Sequence, residues 1–153
     1  AEPDKYGMGS TCVAAFVDSA TDMAHIVNVG DSRTYWITNG DICQLTTDHS
    51  LVQMMIDRGE LQPEQAKKYP GKNLITRAIG TESAVNCDVF HKVLSDNEYL
   101  LLCSDGLTNL VDDQEILFEV VHGTNKEQCC ERLLNIAKNR GAPDNVTCIL
   151  LQV

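Results

Sequence analysis

The stretch Tyr99-Leu100-Leu101-Leu102-Cys103-Ser104-Asp105-Gly106-Leu107 constrains this chain more than any other. Its first half is a short apolar run of the kind that forms a strand buried on both faces. Its second half breaks that run with a carboxylate followed at once by glycine. Asp105 therefore falls where a core strand ends, and Gly106 lets the backbone turn or approach something closely. Taken alone, Asp-Gly after a strand is a turn signal. A second stretch, Ala142-Pro143-Asp144-Asn145-Val146-Thr147-Cys148-Ile149-Leu150-Leu151, sets a carboxylate at the start of another apolar strand. Side by side and antiparallel, the two strands bring Asp105 and Asp144 to one edge of one sheet. Two carboxylates converging on a core are costly unless a cation compensates them, so a metal site is the economical reading.

A chain of 153 residues fits a single domain, taken here as 1–153, and can bury a modest core. No apolar run approaches a membrane span and no signal-peptide pattern opens the chain, so no membrane partner is expected. The formal net charge of -10 argues against nucleic-acid binding, which needs a basic face. Of the seven cysteines, Cys12, Cys103 and Cys148 fall in strand-like runs, while Cys129 and Cys130 are neighbours on a helix. No Cys-x-x-Cys pair suggests zinc. The simplest account is reduced, mostly buried thiols in a cytoplasmic protein.

Taken in order, residues 11–17, 23–29, 33–37 and 42–45 read as an antiparallel meander, with Asn39-Gly40 as a hairpin turn. Ser50 and Gln53 open a helix that Gly59 stops. Residues 60–73 form a polar, partly helical excursion, after which 74–80 returns toward the core. Residues 85–93 and then the central strand follow. Asp112 with Glu115 and Thr124 with Glu127 make two further helix starts. The closing strand, apolar on both faces, reads as an interior one. Strand meanders and helix pairs together predict an α+β layered domain.

Asp31, in Val29-Gly30-Asp31-Ser32-Arg33, is a third carboxylate at a break between strands, where a tight turn or bulge is the plainer account. An oxygen-only ligand set suits Mg²⁺ or Mn²⁺ better than zinc. Two such cations a few ångströms apart could clamp a phosphoryl oxygen and turn a bridging water into hydroxide near neutral pH. No side-chain nucleophile is then needed, and no nucleophile motif is evident. His49 could bind substrate, assist proton transfer, or simply help cap the helix that follows. Arg77 could meet a phosphate or pair with a buried acid.

The ordered blocks Gly9-Ser10-Thr11, Val29-Gly30-Asp31-Ser32-Arg33, Leu45-Thr46-Thr47-Asp48-His49-Ser50, Asn73-Leu74-Ile75-Thr76-Arg77-Ala78-Ile79-Gly80, Leu102-Cys103-Ser104-Asp105-Gly106-Leu107 and Asp144-Asn145-Val146-Thr147 resemble the PPM family of metal-dependent serine/threonine protein phosphatases, the bacterial type 2C members most of all. The resemblance covers nearly the whole chain. It implies an antiparallel β-sandwich flanked by helices in α-β-β-α layers, with a Mn²⁺ or Mg²⁺ centre at one end. Asp105 and Asp144 match aspartates on the metal pair, and Asp31 matches the aspartate that joins Asp105 at a third, weaker site. Ser104, Gly106, Asn145, Ser32 and His49 are the expected supporting or substrate-side residues. Residues 49–73 match the flap beside the active site. The implied partners are phosphorylated proteins made by a serine/threonine kinase.

One departure bears on activity. The family carries an Asp-Gly-x-Gly-Gly stretch whose aspartate bridges both central metals, and a phosphate-holding arginine near it; neither has a counterpart here. The chain opens Ala1-Glu2-Pro3 and runs almost directly into a core strand. The expectation is a sandwich incomplete at its N-terminus, with exposed sheet edges that invite self-association. Such a piece would be inactive or nearly so by itself. The alternative is a catalytically dead relative that works as a binding or regulatory module.

Overall fold

The computed structural model describes residues 7–66 and 68–153, so the Ala1-Glu2-Pro3 opening lies outside the described residues. Among the described residues, seven strands form two antiparallel sheets. The first has three strands in the order β1 (Cys12–Asp18), β2 (Met23–Val29), β5 (Asp88–Val93). The second has four, in the order β4 (Ile42–Gln44), β3 (Arg33–Ile37), β6 (Tyr99–Cys103), β7 (Cys148–Gln152). The expected meander is thus divided between sheets. The chain leaves the first sheet at Val29 and enters the second at Arg33, and the break at Gly30-Asp31-Ser32 is where it crosses.

Alternation of side chains along the strands produces two cores. Between the sheets, Ala24, Ile26, Leu94 and Leu100 are buried, and Val13, Ala15, Trp36, Phe90 and Leu102 pack around them. The other face of the four-stranded sheet, led by Tyr35, Ile37 and Leu101, is covered by helices α3 (Asp105–Thr108), α4 (Asp113–His122) and α5 (Cys129–Asn139). The α+β sandwich is therefore as expected. Its helical layer lies on one side only among the described residues: on the outer face of the three-stranded sheet, Phe16, Val89 and Val93 are exposed.

Local signals were kept with some exceptions. Asp112 and Glu115 close a reciprocal capping box on α4. Ser50 caps α1 (Leu51–Asp57), which the short α2 (Pro63–Ala66) follows, by accepting the Gln53 N–H, but the Gln53 side chain bonds Asp57 instead of returning to the cap. Thr124 does not cap the last helix. Asn125 accepts the Glu127 N–H and opens a single 3₁₀ turn, Lys126–Gln128, before α5 begins. The core stripe of α5 then starts at Cys129 rather than Cys130.

Three further expectations are corrected. Among the described residues the closing strand β7 is an edge strand, with Ile149 and Leu151 exposed and β6 as its one partner. Residues 74–80 run over the surface, tied by isolated bridges Ser50–Ile75 and Ser10–Ile79, and only Ala78 among them is buried. All seven cysteines are free thiols, but only Cys103 and Cys129 are buried, while Cys12, Cys43 and Cys87 are exposed. No helix among the described residues is long and apolar enough to cross a membrane.

Candidate metal centre

The site gathers where strands end. Strand β6 stops at Cys103, Ser104 sits before α3 with extended backbone, and Asp105 is the first residue of that short helix. Strand β7 runs antiparallel to β6 with Cys103 opposite Cys148, so the loop carrying Asp144 arrives at the same end of the sheet. The Ser104 N–H donates to Thr147 O, Ser104 Oγ donates to Asn145 O at 3.2 Å, and the Thr147 N–H donates to Ser104 Oγ at 3.1 Å. These three bonds stitch the two loops together. They also leave no room at Gly106, where a β-carbon would stand 2.2 Å from Asn145 O. Gly106 is required by that close approach.

Asp31 reaches the same end from the crossing between sheets. Gly30 has φ +108°, and a β-carbon there would stand 2.3 Å from Thr11 Cγ2, so glycine is needed on both counts. Ser32 is buried and shares a hydrogen bond of 2.9 Å with Thr11 Oγ1.

Asp31 and Asp105 line one cavity of about 160 Å³, together with Arg33, Asp48, Lys72 and Asn109. Burial first, and the nearby charge of Asp105 second, push the Asp31 carboxyl up to about 6. Asp144 does not share this cavity. It is exposed and lines an adjoining one of about 250 Å³ with Gly106, and Lys72, Asn73 and Asn109 form the wall common to both. Among the described residues, no three histidine, cysteine or carboxylate groups converge closely enough to hold an ion. The two facing carboxylates nevertheless fit a hard cation. They are oxygen donors, and a cation between them would offset both causes that raise Asp31, burial of its charge first and the repulsion from Asp105 second.

Other residues are already committed. Arg33 forks onto Asp48, Nε to Oδ1 at 2.9 Å and Nη2 to Oδ2 at 2.6 Å, and its Nη1 donates to Tyr35 Oη at 3.0 Å. Arg77 donates to Asp88 Oδ1 at 2.7 Å and to Asn86 O, so it pairs with an acid, although a half-exposed one. His49 is buried and joins Gly30 to Asp88. Asp48, Lys72 and Asn109 were not singled out by the sequence. Asn109 donates to Asp105 Oδ2 at 3.1 Å and accepts from Lys72 Nζ at 3.3 Å, linking the excursion 49–73 to the carboxylates.

The fold that carries this site also occurs in known proteins. The family described as Protein phosphatase 2C matches residues 2–53 and 75–146. The chain belongs to the protein phosphatase 2C family. The match omits 54–74, most of the flap-like excursion. The serine/threonine phosphatase stp of Listeria welshimeri is 39% identical over 151 residues, which is 99% of this chain and 59% of that protein. The crystal structure of serine/threonine phosphatase Stp1 from Staphylococcus aureus superposes with a TM-score of 0.90 at 42% identity, covering 96% of this chain and 57% of that one. The catalytic domain of serine/threonine protein phosphatase PstP, solved in complex with two manganese ions, superposes at TM-score 0.85 and 34% identity, covering 97% of this chain and 60% of that one. The chain thus spans about three-fifths of the length of the curated relatives it matches. Relatives in the 2C family are metal-dependent serine/threonine phosphatases.

Proposed function

We propose that residues 1–153 form the part of a metal-dependent phosphatase that holds Mn²⁺ or Mg²⁺ through Asp31, Asp105 and Asp144, the whole protein acting on phosphoserine and phosphothreonine of other proteins. The observation that carries this reading is the pair Asp31 and Asp105 on one cavity, with Asp31 raised by burial and by its neighbour. Asp31 and Asp105 would hold a third, weaker ion, while Asp105 and Asp144 would serve the central pair. When bound, the ions supply positive charge for a phosphoryl group and a hydroxide near neutral pH. The chain's own contributions are positional. Ser104 and Asn145 hold the Asp105 and Asp144 loops in register, and Lys72 presents its ammonium to both cavities, where a phosphate oxygen can meet it. Arg33 keeps Asp48 neutralised and away from the ions.

The 153 residues contain no Asp-Gly-x-Gly-Gly, so this polypeptide alone should hydrolyse little or nothing. The test is hydrolysis of p-nitrophenyl phosphate in Mn²⁺, with Asp105→Asn as control. Turnover that Asp105→Asn abolishes would defeat the claim of inactivity. Silence, followed by turnover when a segment bearing Asp-Gly-x-Gly-Gly is supplied, would uphold it.

A second reading, a binding or regulatory module without catalysis, is favoured by the lack of three converging donors among the described residues. Silence that persists after that segment is supplied would select it. In either case phosphorylated products of a serine/threonine kinase are the partners we propose, in the cytoplasm of a bacterium, where seven free thiols would stay reduced. Among the described residues β1, β5, β4 and β7 are sheet edges and Phe16, Val89 and Val93 form an exposed apolar face, which support self-association. Sedimentation as a monomer at high concentration would remove that part.

A further inference from the structure

We propose that His49 is the positioning residue for Asp31, acting through the backbone of Gly30 and tying Asp31 to both ends of the excursion 49–73. The contacts are mutual. The His49 N–H donates to Gly30 O at 2.9 Å, and the Gly30 N–H donates to His49 Nδ1 at 2.9 Å. Both backbone groups of Gly30 are thereby fixed by a single residue. Asn28 Nδ2 reinforces the arrangement with a bond of 3.2 Å to Gly30 O. His49 O accepts the Thr76 N–H at 2.8 Å, which brings in the returning end of the excursion.

These bonds determine the tautomer. Nδ1 accepts from a backbone N–H that can only donate, so it carries no proton, and a neutral imidazole then carries its proton on Nε2. That N–H donates to Asp88 Oδ2 at 3.1 Å. Arg77 Nη1 lies 3.0 Å from Nε2, but with that nitrogen protonated its bonds go to Asp88 Oδ1 and Asn86 O. Asp88, held by Arg77, therefore orients His49, and His49 orients the residue before Asp31. At φ +108° Gly30 occupies a conformation open to few alternatives, so a clamp on both of its polar groups defines where the next carboxylate starts. Partners one step behind a metal ligand typically change metal affinity by about 10-fold to 100-fold when removed.

The inference rests on the reading of Asp31 as a metal ligand, and the test separates the two. In the metal-free protein, ring ¹⁵N spectra should show His49 protonated on Nε2 and accepting on Nδ1. Gly30 amide exchange should be slow in the unaltered protein and in His49→Asn, whose Oδ1 stands where Nδ1 stood. It should be at least about tenfold faster in His49→Gln and His49→Ala, which lack an acceptor there. Mn²⁺ titration should follow the same split, with His49→Asn within about threefold of the unaltered protein and His49→Gln about tenfold weaker. A residue that only stabilised the fold would instead weaken all variants in step with their melting temperatures. A proton on Nδ1, unchanged Gly30 exchange in His49→Gln, or equal Mn²⁺ loss in the Asn and Gln variants overturns the proposal. If Asp31→Asn leaves Mn²⁺ binding untouched, the ligand reading fails, and Gly30 exchange alone then upholds or overturns the positioning. Should His49→Ala not fold, the Asn and Gln pair carries the comparison.

Discussion

Asp31, on the crossing between sheets, and Asp105, the first residue of α3, are far apart in the chain, yet their carboxylates face one cavity closely enough for the charge on one to alter the other. Asp31 titrates near 6 in the folded protein, against an ordinary value of 3.8. A carboxyl whose folded value is raised binds its proton more tightly when folded, so stability falls as pH rises from about 4 to 6 and stays lower above. Two units correspond to about 3 kcal/mol, which solvent screening of this half-exposed group reduces to about 1–2 kcal/mol.

Asp31→Asn should therefore stabilise the metal-free protein by about 1–2 kcal/mol at pH 8 and by almost nothing at pH 4. Urea unfolding at the two pH values measures this. In saturating Mn²⁺ the sign should reverse, because the unaltered protein gains binding energy that the variant forgoes. An equal gain at both pH values would mean that the cost of ionising the buried Asp31 carboxyl is not the cause.

Gly106→Ala should be more damaging than an ordinary glycine substitution on a short helix. The added carbon meets Asn145 O, which cannot swing aside as a side chain can. Forcing the Asp105 and Asp144 loops apart should cost about 2–3 kcal/mol by chemical denaturation. Mn²⁺ affinity should fall more than in a stability-matched core variant.

Asp48→Ala should leave the Arg33 guanidinium without its forked partner in a partly buried setting. The expected loss is about 2–4 kcal/mol in unfolding free energy, and Arg33→Met combined with it should recover part of the loss. Additive losses would show that the pair contributes little.

Lys72→Ala should weaken binding of inorganic phosphate to the Mn²⁺-loaded protein about tenfold, while Lys72→Arg keeps it within about threefold, since both cations donate to phosphate oxygens. Isothermal titration measures both. Unchanged affinity in the alanine variant would place the phosphate out of Lys72's reach.

The parts of this centre that were legible in sequence share one property. Asp31, Asp105 and Asp144 each interrupt or border an apolar run, where a carboxylate stands out against its neighbours. Gly106 was legible as a glycine directly after a strand-ending carboxylate, although the atom it makes room for, Asn145 O, lies in the loop before β7 and is brought beside it only by the pairing of β6 with β7. Asp48, Lys72 and Asn109 gave no such signal, because Asp48 and Lys72 are polar residues in polar stretches, Asn109 merely ends a short helix, and each matters only through what the fold brings opposite it. Strand β7 was misplaced since alternation reports which faces are apolar, not how many neighbours a strand has. The start of α5 was missed because Asn125 outcompeted Thr124 for the cap, one residue along.

The bridge between Ser50 and Ile75 has a consequence for how this fold can diversify. The Leu51 N–H donates to Leu74 O directly beside it, so the excursion leaves and rejoins the body at one point. A loop closed at its stem transmits little of its own length to what lies beneath. Doubling it would add only about 0.6 kcal/mol of closure entropy, and no aspartate would have to move. Apart from Lys72 and Asn73, which wall both carboxylate cavities, the residues between those two behave as an exchangeable cassette. Insertion, deletion or replacement can rewrite it while the placement of Asp31, Asp105 and Asp144 below is inherited unaltered.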